Sequence, residues 1–245
     1  MLLKYNDFIN ESRFYNDELN PKFWIDDEFN QRIRGKLIII AEDFFKSLDL
    51  DTDIIDIELT GSNANYNYSN YSDLDVHIII DFNDVNKDVD LVKKMVDNQK
   101  FVWSTKHDIS IKGHDVELYV QDVNEKHTAS GLFSLLNNEW IRKPKYDEPQ
   151  IDENDIDDKT KSYINSIDKL DEESNKDLSL DEIDTYFNYA KKLKNKIHSD
   201  RKEGLATKEA EFSVENLVFK ELRNTGYFGK LIKIIDKLYD KQYVQ

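Results

Sequence analysis

Leu59-Thr60-Gly61-Ser62, an interval of ten residues, then Asp73-Leu74-Asp75-Val76-His77-Ile78-Ile79-Ile80 is the stretch that decides the fold of this chain. Before it, Ile55, Ile57 and Leu59 alternate with Asp56 and Glu58, the period of a strand, and the alternation stops at Thr60-Gly61-Ser62. Leu74 to Ile80 reads as a second strand bounded by Asp81. Residues two apart on a strand project from one face, so Asp73 and Asp75 are expected to point together while Leu74 and Val76 enter the core. Two convergent carboxylates repel, and a divalent cation removes that penalty. Oxygen-only ligands suit Mg²⁺ or Mn²⁺. Gly61 and Ser62, at the end of the first strand, fit a phosphate contact, because glycine lets backbone come close and serine offers an N–H and a hydroxyl.

Around this stretch the elements order themselves as helix, strand, loop, strand, helix, strand, strand. Trp24, Ile25, Phe29, Ile33, Leu37, Ile40, Ala41, Phe44 and Phe45 recur at helical spacing and predict one long helix from Pro21 to about Leu48. Asp84 to Trp103 predicts another helix. His107 to Lys112 and Asp115 to Val120 predict strands about a Gly113-His114 turn. A second metal would need a further carboxylate on a neighbouring strand. Glu117, between Val116 and Leu118, is the candidate, with Asp115 in reserve.

The Gly-Ser pair, the variable interval, the acidic-apolar-acidic triplet and the later acidic residue between apolar ones together resemble the DNA polymerase β-type nucleotidyltransferase superfamily. Residues 50 to 122 carry the resemblance, and Ser72 before Asp73 is in keeping with it. It implies that Gly61 and Ser62 bind phosphate and that Asp73, Asp75 and Glu117 are the catalytic, metal-binding carboxylates. It also implies transfer of a nucleoside monophosphate from a nucleoside triphosphate, expected to be ATP, to an acceptor hydroxyl with release of pyrophosphate. Glu rather than Asp in the third place is a departure that leaves Glu117 as either metal ligand or base. The acceptor stays open among a small molecule, a protein and a nucleotide.

The fold expected is α+β: a mixed-sheet nucleotidyltransferase-fold domain with flanking helices over residues 1–146, then an all-helical C-terminal domain over 159–245. Seven of the twelve residues from Asp147 to Asp158 are acidic, with Pro144 just before and Pro149 within, so 147–158 is read as the linker. Lys159 to Leu170, Ser179 to Glu203 and Glu209 to Tyr239 carry helical periodicity, and Ser179 with Glu182 has capping-box spacing. A helical lobe beside a sheet domain suggests a cleft between them.

Composition bounds the function. The 245 residues, 39% hydrophobic and 12% aromatic, can supply a core, and a formal net charge of −16 disfavours long nucleic acid as a partner. With no cysteine, disulfides, thiolate zinc sites and cysteine nucleophiles are excluded. No apolar run is long enough for a membrane span or signal core, so a cytoplasmic location is expected. Leu3 to Glu11 is similar to openings found in proteins of large tailed bacteriophages, which would make that cytoplasm a host's.

Other residues are weighed against plainer roles. His77 shares the Asp75 face but is read first as a hydrogen-bonded sheet residue. Trp140 and Phe133, in the segment beginning at His127, either stack on a nucleobase or pack between lobes; Tyr66, Tyr68 and Tyr71 carry the same two readings. The basic run Lys191 to Lys202 is read as a solvated helix face, and His107, His114 and His127 have no trusted ligand spacing. A silent nucleotide-binding or interaction module, such as a toxin-neutralising partner, is the rival of the enzyme. A ribonuclease in the helical lobe lacks an Arg/His constellation.

Overall fold

The computed structural model describes residues 14–127, 129–146, 149 and 151–243. The chain divides into two compact units, Phe14–Asp147 and a second that holds the C-terminal helices from Glu148 onward. Residues 1–13, assigned from sequence to the first domain and carrying the phage-like opening, lie outside the described residues, as do Thr128, Asp147, Glu148 and Gln150. The architecture is α+β with a mixed sheet.

The sheet unit opens with a hairpin, β1 (Trp24–Ile25) and β2 (Glu28–Phe29), before helix α1 (Gln31–Ser47). The single helix expected from Pro21 is therefore divided. Asp26 and Asp27 both take positive φ, 51° and 66°, and form a two-residue hairpin turn, a conformation a helix cannot continue through. Asn30 then caps α1, its side chain accepting from Arg32 N and Ile33 N at 3.1 and 3.2 Å.

Next come β3 (Asp56–Thr60), a 3₁₀ turn (Ser62–Ala64), β4 (Leu74–Ile80), the short helix α2 (Phe82–Val85) and α3 (Val89–Lys106). Asp81 and Asp88 cap these two helices, which splits the one helix expected from Asp84. β5 (Ser110–Ile111), β6 (His114–Asp122), β7 (Leu132–Ser134) and β8 (Glu139–Arg142) complete a six-stranded sheet in the order β5-β6-β4-β3-β7-β8. β4 and β6 are parallel and the other pairs antiparallel. The last two of these strands fall within residues 123 to 145, so that stretch belongs to this unit.

Strand alternation gives the sheet two unlike faces. Leu74, Val76, Ile78 and Ile80 of β4 are fully buried, and α1, whose buried stripe is Ile33, Leu37, Ala41 and Phe44, packs against this strand. Phe44 meets Trp103 of α3 at 5.4 Å between ring centroids. The other parity brings up Asp75 and His77 of β4, Glu58 and Thr60 of β3, and Glu117, Tyr119 and Gln121 of β6. This polar face carries every candidate site residue that lies on a strand.

The helical unit consists of α4 (Glu153–Ser174), α5 (Leu180–Leu205), α6 (Val214–Asn224) and α7 (Tyr227–Tyr243). Ile167, Leu193, Ile197, Leu217, Leu222, Leu231 and Leu238 are among its buried residues. The Ser179–Glu182 capping box is present in full. α4 begins at Glu153, so part of the acidic stretch read as linker is helix. Asp152 accepts from Asp155 N at 3.1 Å, and carboxylates in a first turn are favoured by the helix dipole. The helix expected over Glu209 to Tyr239 is two, parted at Thr225-Gly226. No helix among the described residues is long and apolar enough to cross a membrane.

Candidate active site

The Gly-Ser turn is built against the first carboxylate strand. β3 and β4 pair antiparallel with Thr60 opposite Asp75, so Gly61 leaves β3 directly beside that side chain. A Cβ on residue 61 would stand 1.9 Å from Asp75 Oδ2, and Gly61 has φ of +73°. Glycine is required here twice over, for its backbone angle and for space. The expected reason was close approach of a phosphate; the group found in close approach is the Asp75 carboxylate.

Behind the turn, buried hydrogen bonds hold the approach to Asp73. Ser62 Oγ donates to Ser72 Oγ at 2.8 Å. Asn63, fully buried, donates through Nδ2 to the carbonyls of Ser72 and Asp73 at 3.1 and 2.8 Å, and its Oδ1 accepts from Asn20 Nδ2 at 2.8 Å. Its own carbonyl accepts from Trp24 Nε1 at 2.8 Å. His114 Nδ1 lies 2.6 Å from the Ser72 carbonyl, and Lys22 Nζ lies 3.0 Å from its Nε2. These two contacts fix the neutral tautomer, Nδ1–H donating and Nε2 accepting. Burial lowers the His114 pKa in the same sense.

β6 brings the third carboxylate alongside, with Glu117 in register with Asp75 and Tyr119 with His77. Tyr119 donates its hydroxyl to Glu117 Oε2 at 2.5 Å. Lys100 Nζ stands 3.4 Å from the same oxygen and 3.2 Å from the centroid of the Tyr119 ring. Burial, the hydrogen bond to Glu117 and the charges of Glu117, Asp75 and Asp73 all raise the Tyr119 pKa. Asp115, the reserve carboxylate, is exposed opposite Ser110 of β5.

No family model, curated protein or solved structure matches the chain.

The geometry thus brings the Gly61-Ser62 turn, Asp75 and Glu117 to one end of the polar face, with Asp73 directly before the first residue of β4. Among the described residues no three His, Asp or Glu side chains stand close enough together to hold a metal ion. The donor chemistry of Asp73 and Asp75 fits a hard cation such as Mg²⁺ or Mn²⁺. Glu117 is engaged by Tyr119 and Lys100, which sets it apart from the pair.

His77 is a hydrogen-bonded sheet residue, while Trp140 and Phe133 pack within the sheet unit and not between lobes. His77 Nδ1 meets Gln121 Oε1 at 2.6 Å and its ring stacks on Tyr119 at 4.7 Å; burial lowers its pKa to about 4, so it is neutral. Trp140 stacks on Trp24 at 4.5 Å, and Phe133 meets both, which makes them a cluster with the β1–β2 hairpin inside the sheet unit. Tyr66 packs against Tyr15 and Tyr146. His127 Nε2 lies 3.2 Å from Glu58 Oε2. In the helical unit, Lys196 pairs with Asp200 at 2.7 Å and Arg201 lies over Phe219 at 4.2 Å.

Asn63, His114, Tyr119 and Lys100 are the participants that sequence reading did not assign. Asn63 had one signal, its place directly after Gly61-Ser62. Tyr119 had another, two residues past Glu117 and therefore on its face. Lys100 and His114 gave none, since both arrive from elements whose placement only folding determines.

Proposed function

We propose that the chain is a metal-dependent nucleotidyltransferase that moves a nucleoside monophosphate from a nucleoside triphosphate, ATP foremost, to an acceptor hydroxyl. The observation that carries this reading is the packing of the Gly61 turn against the Asp75 carboxylate, with Glu117 in register on the adjoining strand. In this reading Asp73 and Asp75 hold Mg²⁺ or Mn²⁺. The cation, when bound, neutralises charge on the triphosphate and the leaving pyrophosphate. The backbone and hydroxyl of Ser62 contact phosphate. The acceptor oxygen attacks the α-phosphorus, a new P–O bond forms, the bond to the pyrophosphate breaks with its electron pair, and Glu117 receives the hydroxyl proton. Tyr119 and Lys100 position that carboxylate.

The resemblance carried by residues 50 to 122 supports the same reading, and the donor set supports the choice of cation. The test is incubation with each of four α-³²P nucleoside triphosphates, Mg²⁺ or Mn²⁺ and a cell extract, beside an Asp73→Ala/Asp75→Ala variant. Transfer of label or release of pyrophosphate by wild type alone supports the enzyme. No turnover under any condition overturns it.

A second reading, a silent nucleotide-binding module, draws on the engagement of Glu117 by Tyr119 and Lys100. Metal-dependent triphosphate binding without turnover would select it.

A further inference from the structure

Of the three candidate carboxylates, Glu117 is held from the side away from the other two. Helix α3 lies on the apolar face: its Val92 and Val96 are buried, and Trp103 meets Phe44 of α1, which packs against β4. Glu117 and Tyr119 belong to the polar face, on a strand whose inner edge is taken by β4 from Val116 to Asp122. Lys100 of α3 therefore arrives at both side chains round the outer edge of β6. Its ammonium stands on the flank of Glu117 remote from Asp75, the residue in register on β4.

Lys100 and Tyr119 share one oxygen of that carboxylate. The ammonium lies 3.4 Å from Glu117 Oε2, and the Tyr119 hydroxyl donates to the same atom at 2.5 Å. Both donors are themselves held. The ammonium lies 3.2 Å from the Tyr119 ring centroid, that ring stacks on His77, and Lys93, about two turns before Lys100, ties α3 to Glu125 at 2.8 Å. A Mg²⁺ shared by three carboxylates needs an oxygen of each at about 2.0–2.1 Å from one point. With Oε2 taken by two donors, Glu117 could offer a metal only Oε1. A dication bound there would stand a carboxylate's width from the ammonium, where like charges repel strongly.

We infer that the site takes a single divalent cation, on Asp73 and Asp75 with the triphosphate, where the resemblance implies a pair, and that Lys100, by holding Glu117 to the outer edge, keeps the second cation out. Glu117 is then the base and not a metal ligand, and its longer side chain gives it the reach to be held so. The acceptor hydroxyl, with no metal of its own to lower its pKa, hands its proton to a carboxylate flanked by an ammonium and a phenol. The positive charge beside that carboxylate is the one on Lys100. The hold on Glu117 stands on the contacts alone; the single cation rests on the nucleotidyltransferase reading.

The test counts manganese and nucleotide on the full chain. The protein is run through a sizing column equilibrated with Mn²⁺ and the α,β-methylene analogue of ATP, GTP, CTP or UTP in turn, and the depletion trough behind the protein peak gives the amount of each bound. One Mn²⁺ per nucleotide per chain is expected for wild type and for Lys100→Arg, which keeps the charge. Lys100→Met keeps the aliphatic stem over the Tyr119 ring without the charge and is expected to take two. The double variant Lys100→Met/Glu117→Gln is expected to return to one, because the amide carries no negative charge for a second dication. Two Mn²⁺ on wild type overturns the inference and leaves nucleotidyl transfer standing with a pair of cations. A single Mn²⁺ on Lys100→Met overturns the part given to Lys100, and the wild-type count decides the stoichiometry whether or not the variants fold. Neither metal nor nucleotide retained with any analogue overturns the nucleotidyltransferase reading and the inference with it.

Discussion

Gly61 packs directly against the carboxylate of Asp75: a Cβ on residue 61 would lie 1.9 Å from Asp75 Oδ2. The turn and the carboxylate therefore cannot vary independently. Gly61→Ala must either move the Asp75 side chain or distort a backbone held at φ of +73°. The expected outcome is a loss of about 1–3 kcal/mol in urea denaturation, with metal-dependent triphosphate binding abolished in calorimetry. Unchanged binding would show that the Asp75 position does not matter to the ligand.

Asn63 satisfies four partners in a buried site: two carbonyls, the Asn20 amide and, through its own carbonyl, Trp24. Asn63→Ala takes its donor from the Asp73 carbonyl and its acceptor from the Asn20 amide, while the Ser72 carbonyl keeps His114. Buried groups left unpaired cost about 1–3 kcal/mol each, so a loss of about 2–4 kcal/mol is expected by chemical denaturation. Asn63→Asp is expected to do no better, since a carboxylate cannot donate to the two carbonyls.

Trp24 ties the hairpin to the site through its indole N–H and to β7 and β8 through Phe133 and Trp140. Trp24→Phe keeps a ring in the cluster and loses the bond to Asn63, for about 1 kcal/mol. Trp24→Ala also empties the cluster and is expected to cost about 3–5 kcal/mol. Thermal melts of the two variants, compared side by side, separate the contributions.

His77 supplies a pH signature of stability. Its folded pKa is about 4 against 6.5 for the free side chain, because burial penalises the imidazolium. The unfolded chain binds the extra proton first, so this residue lowers stability as pH falls from about 6.5 towards 4. The shift corresponds to roughly 3 kcal/mol across that window. Denaturation midpoints of wild type and His77→Gln, measured at pH 7 and pH 4.5, should converge or diverge by the missing slope; parallel behaviour would show that His77 is not held neutral.

Tyr119→Phe removes the hydroxyl from Glu117 while keeping the ring that His77 and Lys100 contact. If Tyr119 positions Glu117 for the transfer step, kcat falls about tenfold and the KM for triphosphate is unchanged. An equal rise in KM would place Tyr119 in nucleotide binding.

Local periodicity was enough to read a strand ending at Thr60-Gly61-Ser62, a second over 74–80, the α+β composition and the C-terminal helices, because each follows from spacing along the chain. Where it misread, one local rule had a competitor. The apolar spacing from Pro21 looks helical, yet Asp26-Asp27 favours a hairpin turn and Asn30 starts the helix afresh. Packing of the folded chain is what sets Glu117 in register with Asp75, brings Asn63 and His114 to the approach to Asp73, carries Lys100 from α3 to Glu117 and stacks Trp140 on Trp24. Those contacts join residues 10 to 116 positions apart, and periodicity, which reports on neighbours along the chain, carries no information about which distant faces meet.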